Sequence, residues 1–334
     1  MIDLIRKLTE AWGPSGYEHQ VRDLIRTEVK RYASSMEVDP LGSLLCRVGK
    51  GGKDKKTIMV AAHMDEIGVM ATFQEPKSGY LRFSPIGGLL YTTLHGSRVR
   101  FEDGTTGIIA APEPFGASRT TAPEIDRFYI DVSDGGEADQ SRAGTPAAFW
   151  RHFEQRGTRL IAKSMDDRIG CAVAIEAMRR LNKQTPHEVV FAFTVQEEVG
   201  LRGARAAGYG VDPDVAISLD VTQAGDEIKG ERNVVALGGG AAIKVMDAGH
   251  IVPPQVRDWM IAAAEGVGIP YQLETLTLGT TDAAGIQVAR EGVPSGCISI
   301  PCRFVHTTSE TVDSRDVEAC VQLLVRLLSE PVPF

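Results

Sequence analysis

Histidine and carboxylate residues recur in this sequence as short polar clusters at the junctions between segments. The clusters are His63-Met64-Asp65-Glu66, Asp166-Asp167, Gln196-Glu197-Glu198, Asp220 and His306. Two histidines with several carboxylates and no cysteine suit Zn, Co or Mn, and differ from a structural thiolate zinc site. Hydrolytic two-metal sites hold their ions roughly 3.5–4 Å apart, a distance that one bridging carboxylate can span. These residue types therefore predict a two-metal hydrolase site.

Neighbouring residues within these clusters can take different roles. Asp65 lies two residues after His63, so in an extended chain both side chains point to the same face. Asp65 can then accept the second imidazole N–H of His63 and fix its tautomer. Glu197 and Glu198 are adjacent, so one can bind metal while the other stays free as a base. We expect the free glutamate, which is partly desolvated, to exchange a proton near neutral pH.

Apolar runs typical of buried strands precede most of the clusters. They are TIMVAA (57–62), VVFAFTV (189–195), VAISL (215–219) and CISI (297–300). Because these runs alternate with helical stretches such as 168–181, they indicate an α/β domain with a mostly parallel mixed sheet flanked by helices. Ligands bind at the carboxyl ends of the strands in such sheets. We therefore expect the polar clusters, including Asp166-Asp167 at a helix start, to meet at one rim.

The rest of the chain separates into a helical beginning and a β-rich middle. Residues 2–12 and 18–32 have helical apolar spacing, with Gly13-Pro14-Ser15-Gly16 as the break between them. Between about residues 69 and 162 the helical period disappears, and short β-like runs alternate with Gly, Pro and Asp turns. Long loops are predicted at 111–124 and 133–146. We interpret residues 69–162 as a β-rich domain inserted into a discontinuous α/β domain formed by residues 1–68 and 163–334.

Composition restricts the classes of partner and the compartment. The net charge of −8 argues against nucleic acid or an anionic membrane as the main partner. No apolar run has the roughly 18–20 residues that a membrane span requires, and the first residues lack the apolar core of a signal peptide. The odd number of cysteines and the absence of a CxxC pair disfavour a disulfide framework. We expect reduced thiols in a cytoplasmic protein. The cysteines are Cys46, Cys171, Cys297, Cys302 and Cys320.

Six segments resemble one known family. They are AAHMDEIG (61–68), SMDDRIG (164–170), TVQEEVGLRGA (194–204), SLDVT (218–222), LGTTDAAG (278–285) and FVHTTSE (304–310). They are similar to the tetrahedral metallo-aminopeptidases, which include proteins labelled glutamyl aminopeptidase, cellulase or FrvX. The resemblance implies a zinc-peptidase-like catalytic domain, an inserted small β-barrel-like dimerisation domain, short peptide substrates, and dimers that assemble into a dodecamer. It also implies that the loop 279–282 lines the substrate pocket.

The resemblance also assigns roles to individual residues. It implies two divalent ions per subunit, Zn or Co and possibly Mn, with His63 and Asp220 on opposite ions and Asp166 bridging them. Glu198 and His306 complete the metal ligands, Glu197 is the general base, and Asp65 orients His63. The peptide bond between Asp166 and Asp167 is implied to be cis. Either aspartate of this pair could be the bridging ligand, and Asp166 is the one we favour.

Three other functions are compatible with parts of this pattern. A deacylase or carboxypeptidase that acts on N-terminally blocked substrates could use the same two-metal core. A glycosidase needs two carboxylates but not the accompanying histidines. A scaffold without activity would have lost a ligand or the base, and none is lost here. Neither the preferred N-terminal residue of the substrate nor the native metal follows from the sequence, because His/carboxylate sites accept several divalent ions.

Overall fold

The computed structural model describes residues 1–49, 55–112, 123–132, 142–228 and 235–334. The helices are α1 (Ile2–Glu10), α2 (His19–Val29), α3 (Met165–Leu181), α4 (Arg202–Val211), α5 (Pro254–Glu265), α6 (Asp282–Gln287) and α7 (Ser314–Ser329). The strands are β1 (Ser35–Val38), β2 (Leu44–Gly49), β3 (Thr57–His63), β4 (Gly68–Gln74), β5 (Leu81–Ile86), β6 (Arg98–Phe101), β7 (Thr106–Ala110), β8 (Tyr129–Asp131), β9 (Pro146–Phe149), β10 (Glu154–Arg156), β11 (Arg159–Ala162), β12 (Glu188–Thr194), β13 (Val215–Gln223), β14 (Ala241–Met246), β15 (Tyr271–Thr275), β16 (Ser295–Arg303) and β17 (Glu310–Asp313).

A large mixed sheet organises most of the chain. Its main strand order is β1-β2-β12-β3-β13-β16-β17-β11-β10, and β14 pairs with β15 and β16. The central neighbours β12, β3, β13 and β16 are parallel to one another. The pairs at both ends of this order are antiparallel. The predicted α/β fold with a mixed sheet is confirmed, and the parallel pairs of the main strand order lie at its centre, where carboxyl ends converge.

Both faces of the central strands are covered by helices. Along β3, Ile58 and Val60 belong to the large core that also contains residues of α1, α2, α3, α5 and α7. The alternate residues Met59 and Ala61 pack in a second cluster with residues of α4 and α6. Side chains of a strand alternate between the two faces of its sheet, so a strand covered on both faces is apolar at every position. This burial explains the continuous apolar run TIMVAA.

A closed antiparallel barrel interrupts the α/β domain. Its strand order is β4-β5-β8-β7-β6-β9, and it has its own hydrophobic core. The barrel part of the fold prediction is thereby confirmed. The division of the chain at residues 68 and 162 stays a prediction. The barrel strands end at Phe149, and β10 and β11 extend the large sheet through β17, which favours a second boundary near residue 150.

The ends of several elements differ from the sequence prediction. The first two helices end at Glu10 and Val29, a few residues before the predicted positions 12 and 32. Helix ends are the least certain part of a pattern-based assignment, because local propensity changes little across them. The predicted loops at 111–124 and 133–146 lie largely outside the described residues.

A buried arginine ties the N-terminal segment to the strand that carries His63. Arg168, on α3, is fully buried. Its guanidinium donates to the carbonyl oxygens of Met64 at 2.6 Å, Leu8 at 2.7 Å and Gly13 at 3.2 Å. It also lies 3.3 Å from the carboxylate of Glu66. One side chain therefore satisfies polar groups from two separate segments, residues 8–13 and residues 64–66.

We expect Arg168→Met to lower the free energy of unfolding by about 3–5 kcal/mol, because it leaves buried polar groups without their charged partner. The measurement is urea-induced unfolding monitored by circular dichroism. Arg180→Met is the matched control on the same helix, since the partly exposed Arg180 pairs with Glu318 at the surface. Exposed pairs contribute roughly 0–1 kcal/mol. Equal losses in the two variants would contradict the role assigned to Arg168.

Candidate metal centre

The structure brings the predicted site residues together at the carboxyl ends of the central strands. His63 is the last residue of β3, Glu197 and Glu198 follow β12, and His306 follows β16. Asp166 lies in the first turn of α3. A cavity of about 540 Å³ opens here. The predicted site residues that line it are Asp166, Glu197, Glu198, Asp220 and His306.

Asp220 reaches this rim in a way that the sequence did not indicate. It was predicted to follow its strand, but β13 continues to Gln223, so Asp220 lies inside the strand. The pairing between β13 and β3 stops at Ser218 and Ala61. The pairing with β16 continues through Asp220 and Ser299. Asp220 therefore lies past the last residue pair that joins its strand to β3, which leaves its side chain at the rim.

The ligand atoms form two groups that share one aspartate. His63, Asp166 and Asp220 make one group, and Asp166, Glu198 and His306 make the other, with the atoms of each group within 4.8 Å of one another. Asp166 Oδ1 lies 3.0 Å from His63 Nε2, and its Oδ2 lies 3.3 Å from His306 Nε2. The two oxygens of Asp166 thus face opposite groups.

This arrangement corrects one implication of the resemblance. His63 and Asp220 were expected to belong to opposite metals, but they lie in the same group. Their strands, β3 and β13, are direct neighbours at the centre of the sheet. Glu198 and His306 come from the loops after the next strands outward, β12 and β16. Which strands are neighbours in the sheet therefore decides which ligands stand together. The order of the polar clusters along the chain does not reveal this.

Asp167 points away from both groups. Its Oδ2 accepts the backbone N–H of His63 at 3.2 Å, and its Oδ1 accepts the N–H of Gly170 at 3.0 Å. Burial, with the nearby charge of Asp220, raises the pKa of Asp167 well above its ordinary value. The peptide bond between Asp166 and Asp167 is cis, as the resemblance implied. Asp166, and not Asp167, faces the ligand groups.

Asp65 contacts both His63 and the glutamate pair. Its Oδ1 lies 3.4 Å from His63 Nδ1. Its carboxylate also accepts the backbone N–H groups of Glu197 at 3.0 Å and Glu198 at 3.2 Å, and the hydroxyl of Ser15 at 2.6 Å. Burial opposes the charged form of Asp65, but the hydrogen bonds and charge of His63 outweigh it and lower the pKa. The contacts with the glutamate amides were not predicted, since they join residues 132 and 133 positions apart.

The two adjacent glutamates occupy different environments. Glu197 Oε2 is 4.0 Å from His63 Nε2, and Glu197 belongs to neither ligand group. Burial, the largest cause, raises the pKa of Glu197 well above its ordinary value, and the charge of Asp220 adds to this effect. Glu198 Oε2 lies 3.3 Å from His306 Nε2. The other oxygen of Glu198, Oε1, is buried without a hydrogen-bond partner in the described part of the chain.

These donors fit divalent cations. The facing atoms are imidazole nitrogens and carboxylate oxygens, the ligands that Zn, Co and Mn accept. Several carboxylates are buried side by side, which is unfavourable unless cations or protons compensate the charge. The unpartnered Glu198 Oε1 is a free acceptor at this point. The two groups therefore have the composition and spacing of metal-binding groups.

A further buried glutamate, which the sequence reasoning missed, supports the loop that carries Glu197. Glu18 Oε1 accepts the backbone N–H of Gly16 at 2.6 Å and that of Gln196 at 3.1 Å. Burial, followed by the charge of Asp65, raises the pKa of Glu18 to about 7. A glutamate at the first position of a predicted helix is usually only a helix-start residue, so the local pattern gave no sign of this contact.

We expect Glu18 to make the metal-free protein less stable as the pH rises. Its folded-state pKa of about 7 exceeds the ordinary 4.5, so its contribution is full below pH 4.5 and lost as pH rises through 7. From pH 5 to pH 8, the unchanged protein should lose about 2–3 kcal/mol of unfolding free energy relative to Glu18→Gln. Urea unfolding of both proteins at the two pH values measures this difference. If the difference in unfolding free energy between the two proteins is the same at pH 5 and pH 8, the raised pKa of Glu18 is refuted.

The cavity beside the ligand groups has largely apolar walls. Its apolar lining residues are Leu201, Val221, Leu276, Leu278 and Val305. Of the loop 279–282, which the resemblance implied lines the pocket, Gly279, Thr280 and Thr281 line this cavity, whereas Asp282 is not among its lining residues. Apolar walls around a few converging polar groups are typical of sites that bind small molecules or short chains.

The mixed sheet, its inserted barrel and the His/carboxylate groups at the sheet rim define a hydrolase of the metallopeptidase type. The chain belongs to the M42 glutamyl aminopeptidase family, whose model matches residues 42–323. It is 37% identical over 347 residues to the lysyl aminopeptidase of Pyrococcus furiosus, covering 99% of this chain and 98% of that protein. The chain is thus a peptidase, as the sequence predicted.

Solved structures agree with this assignment. An aminopeptidase from the archaeon Desulfurococcus kamchatkensis is 39% identical, with a TM-score of 0.92 over 99% of this chain and 95% of that one. The TET1 peptidase of Pyrococcus horikoshii, described as assembling into a tetrahedron or a large octahedral shell, is 31% identical, with a TM-score of 0.87 over 99% of both chains. Among the described residues, the helices are all too short or too polar to cross a membrane.

Proposed function

We propose that this chain is a two-metal aminopeptidase that removes N-terminal residues from short peptides. The observation that carries the proposal is the sharing of Asp166 between two ligand groups, with Glu197 beside them but in neither. In this proposal His63, Asp166 and Asp220 hold one ion, and Asp166, Glu198 and His306 hold the other. The ions are Zn or Co and possibly Mn, since each accepts these donors.

The bound ions would supply Lewis acidity, which polarises the scissile carbonyl and lowers the pKa of water. The chain itself provides the proton transfer. Glu197 is the general base: its carboxylate takes a proton from the attacking water and passes it to the leaving amine. Asp65 acts as a positioning residue, because it accepts the Glu197 amide N–H and lies against His63 Nδ1.

A deacylase or carboxypeptidase that acts on N-blocked substrates is the alternative use of such a core. The family and the relatives favour an aminopeptidase. They leave the preferred N-terminal residue open, because the family description says glutamyl and the relative from Pyrococcus furiosus is named lysyl. The largely apolar cavity walls do not decide between these two charges.

The test uses metal-free protein reconstituted separately with Zn, Co and Mn. Each form is assayed with a panel of aminoacyl-chromophore substrates and with their N-acetylated counterparts. We expect hydrolysis of free-amine substrates to return with at least one metal and to saturate at two ions per chain. Preferential cleavage of the acetylated set would overturn the aminopeptidase proposal in favour of the deacylase. Saturation at one ion would overturn the two-metal site.

We also propose that the chain assembles into a dodecamer through dimers and works in the cytoplasm. The likeness to the TET1 peptidase over the full chain supports a large assembly, and the barrel supplies a separate folded unit for dimer contacts. Light scattering coupled to size exclusion should give twelve times the subunit mass of 36.1 kDa. A monomeric mass would contradict this proposal.

A further inference from the structure

Buried carboxylates accept the backbone amides of most residues proposed here as ligands or base. Backbone N–H groups are neutral donors, and a carboxylate that accepts two of them fixes two chain segments relative to each other. Because these bonds leave the ligand side chains free to face the cavity, they set where the ligands stand. The pairs are His63 with Asp167, Glu197 and Glu198 with Asp65, and Asp166 and His306 with Glu310.

Glu310 joins two ligands from different parts of the fold. It is the first residue of β17 and is 1% exposed. Its Oε2 accepts the amide N–H of Asp166 at 3.1 Å, and its Oε1 accepts that of His306 at 2.8 Å. Asp166 lies in the first turn of α3, whereas His306 lies in the loop between β16 and β17. One buried carboxylate therefore sets the distance between the two backbones.

The loop that carries His306 needs such support. Phe304 and His306 both have a φ of 61°, in the left-handed region that non-glycine residues rarely adopt. A conformation of this kind persists only where surrounding contacts hold it. Thr307 Oγ1 donates to the carbonyl of Phe304 at 2.7 Å, and Glu310 accepts the amide of His306.

The position of Glu310 is not explained by packing alone. Its carboxyl group is buried, and burying a polar group is unfavourable unless that group is hydrogen-bonded. An apolar residue would pack at the start of β17 without this cost. Within the described part of the chain, the backbone amides that donate to Glu310 are those of the ligands Asp166 and His306, so its placement serves the ligand groups.

We propose that Glu310 is a positioning residue that sets the metal affinity of the group formed by Asp166, Glu198 and His306. The proposal rests on the two-metal function proposed above. Glu310 holds two of the three ligands of this group but only Asp166 of the other group, which also contains His63 and Asp220. Its loss should therefore weaken the two ions unequally.

The test is Co²⁺ titration of metal-free Glu310→Gln, followed by visible absorption and equilibrium dialysis. A glutamine offers one oxygen and one NH₂ group, so it can accept only one of the two amides. Replacing a residue that orients metal ligands typically lowers metal affinity about 10–100-fold. We expect one of the two Co²⁺ steps to weaken by about tenfold or more and the other to change by no more than about threefold.

Asp316→Asn is the matched control. Asp316 is also fully buried, and its carboxylate accepts the backbone N–H groups of Gly238 at 2.7 Å and Gly240 at 2.8 Å. Like Glu310, Asp316 is a buried carboxylate that accepts two backbone amides, but those amides belong to residues that are not proposed ligands. We expect Asp316→Asn to lower the melting temperature of the metal-free protein and to leave both Co²⁺ steps unchanged.

The outcomes separate this inference from the proposed function. Two unchanged Co²⁺ steps in Glu310→Gln, or equal weakening in Asp316→Asn, would overturn the role of Glu310. If Glu310→Gln fails to fold, Glu310→Asp answers the same question, since the shorter carboxylate keeps its charge but cannot reach both amides. If Glu310→Gln shows the unequal Co²⁺ effect while the unchanged, metal-loaded protein cleaves no aminoacyl substrate, the role of Glu310 is supported and the aminopeptidase proposal is refuted.

Discussion

Glu197→Gln is expected to lower kcat for aminoacyl substrates by about 10²–10⁴-fold, because an amide cannot accept the proton of the attacking water. Metal binding should stay close to that of the unchanged protein, since Glu197 belongs to neither ligand group. The measurements are steady-state kinetics with saturating metal and Co²⁺ titration of the metal-free variant. Loss of activity with intact metal binding is the result that separates a base from a ligand.

Glu318→Gln is the control for the change of charge. Glu318 lies on α7 and pairs with Arg180 at the surface, so its replacement removes one negative charge outside the site. We expect its kcat to match that of the unchanged protein. Near-normal turnover in Glu197→Gln would exclude the proposed mechanism. A loss of one Co²⁺ equivalent in that variant would instead make Glu197 a ligand.

The environment of Glu197 gives a physical reason for these expectations. In the metal-free protein, burial raises the pKa of its carboxyl group, and the nearby charge of Asp220 raises it further. A carboxylate with a raised pKa is a stronger base than an exposed one. The Asp65 carboxylate accepts the Glu197 backbone N–H and thereby fixes where this base stands. Desolvation and positioning thus act on the same residue.

The fold could be predicted from the sequence because a strand that is buried on both faces of its sheet has a continuous apolar run. β3 and β12 are buried at nearly every position, and continuous apolar runs are the direct result. His63 and Glu197 follow such runs, so their convergence at a rim could be predicted from the parallel sheet. Asp220 is the exception, because its strand continues beyond it and no residue pattern marks where a neighbouring strand stops.

Two features of the site could not be predicted from the sequence: which ligands stand together in one group, and which buried carboxylates accept the backbone amides of the ligands. Which ligands share an ion depends on strand order, and β12, β3, β13 and β16 are neighbours in an order unlike their order along the chain. The support comes from backbone amides that donate to carboxylates over a hundred residues away. Such bonds leave no periodicity or spacing in the sequence. Glu310 lies in the segment FVHTTSE, but the sequence therefore predicted no role for it.

Asp166 and Asp167 are adjacent, and replacing the one that bridges the two ligand groups should cause the second large loss of activity. Asp166→Asn is expected to lose both Co²⁺ equivalents and to reduce kcat/KM by at least about 10³-fold, because one residue serves both ligand groups. An asparagine presents one oxygen and no charge, so it cannot face His63 and His306 with two anionic oxygens as Asp166 does. Isothermal titration of the metal-free variant and steady-state kinetics measure the two losses.

Asp167→Asn is the matched variant one residue away. The Asp167 oxygens accept the amides of His63 and Gly170, so an asparagine forfeits one of these bonds. The expected result is a loss of about 1–3 kcal/mol in unfolding free energy with both Co²⁺ equivalents retained. If Asp167→Asn instead lost both ions while Asp166→Asn kept them, Asp167 would be the bridging residue. Because the two substitutions are chemically identical, a difference in the number of bound ions distinguishes the carboxylate that faces both ligand groups from the one that supports the His63 backbone.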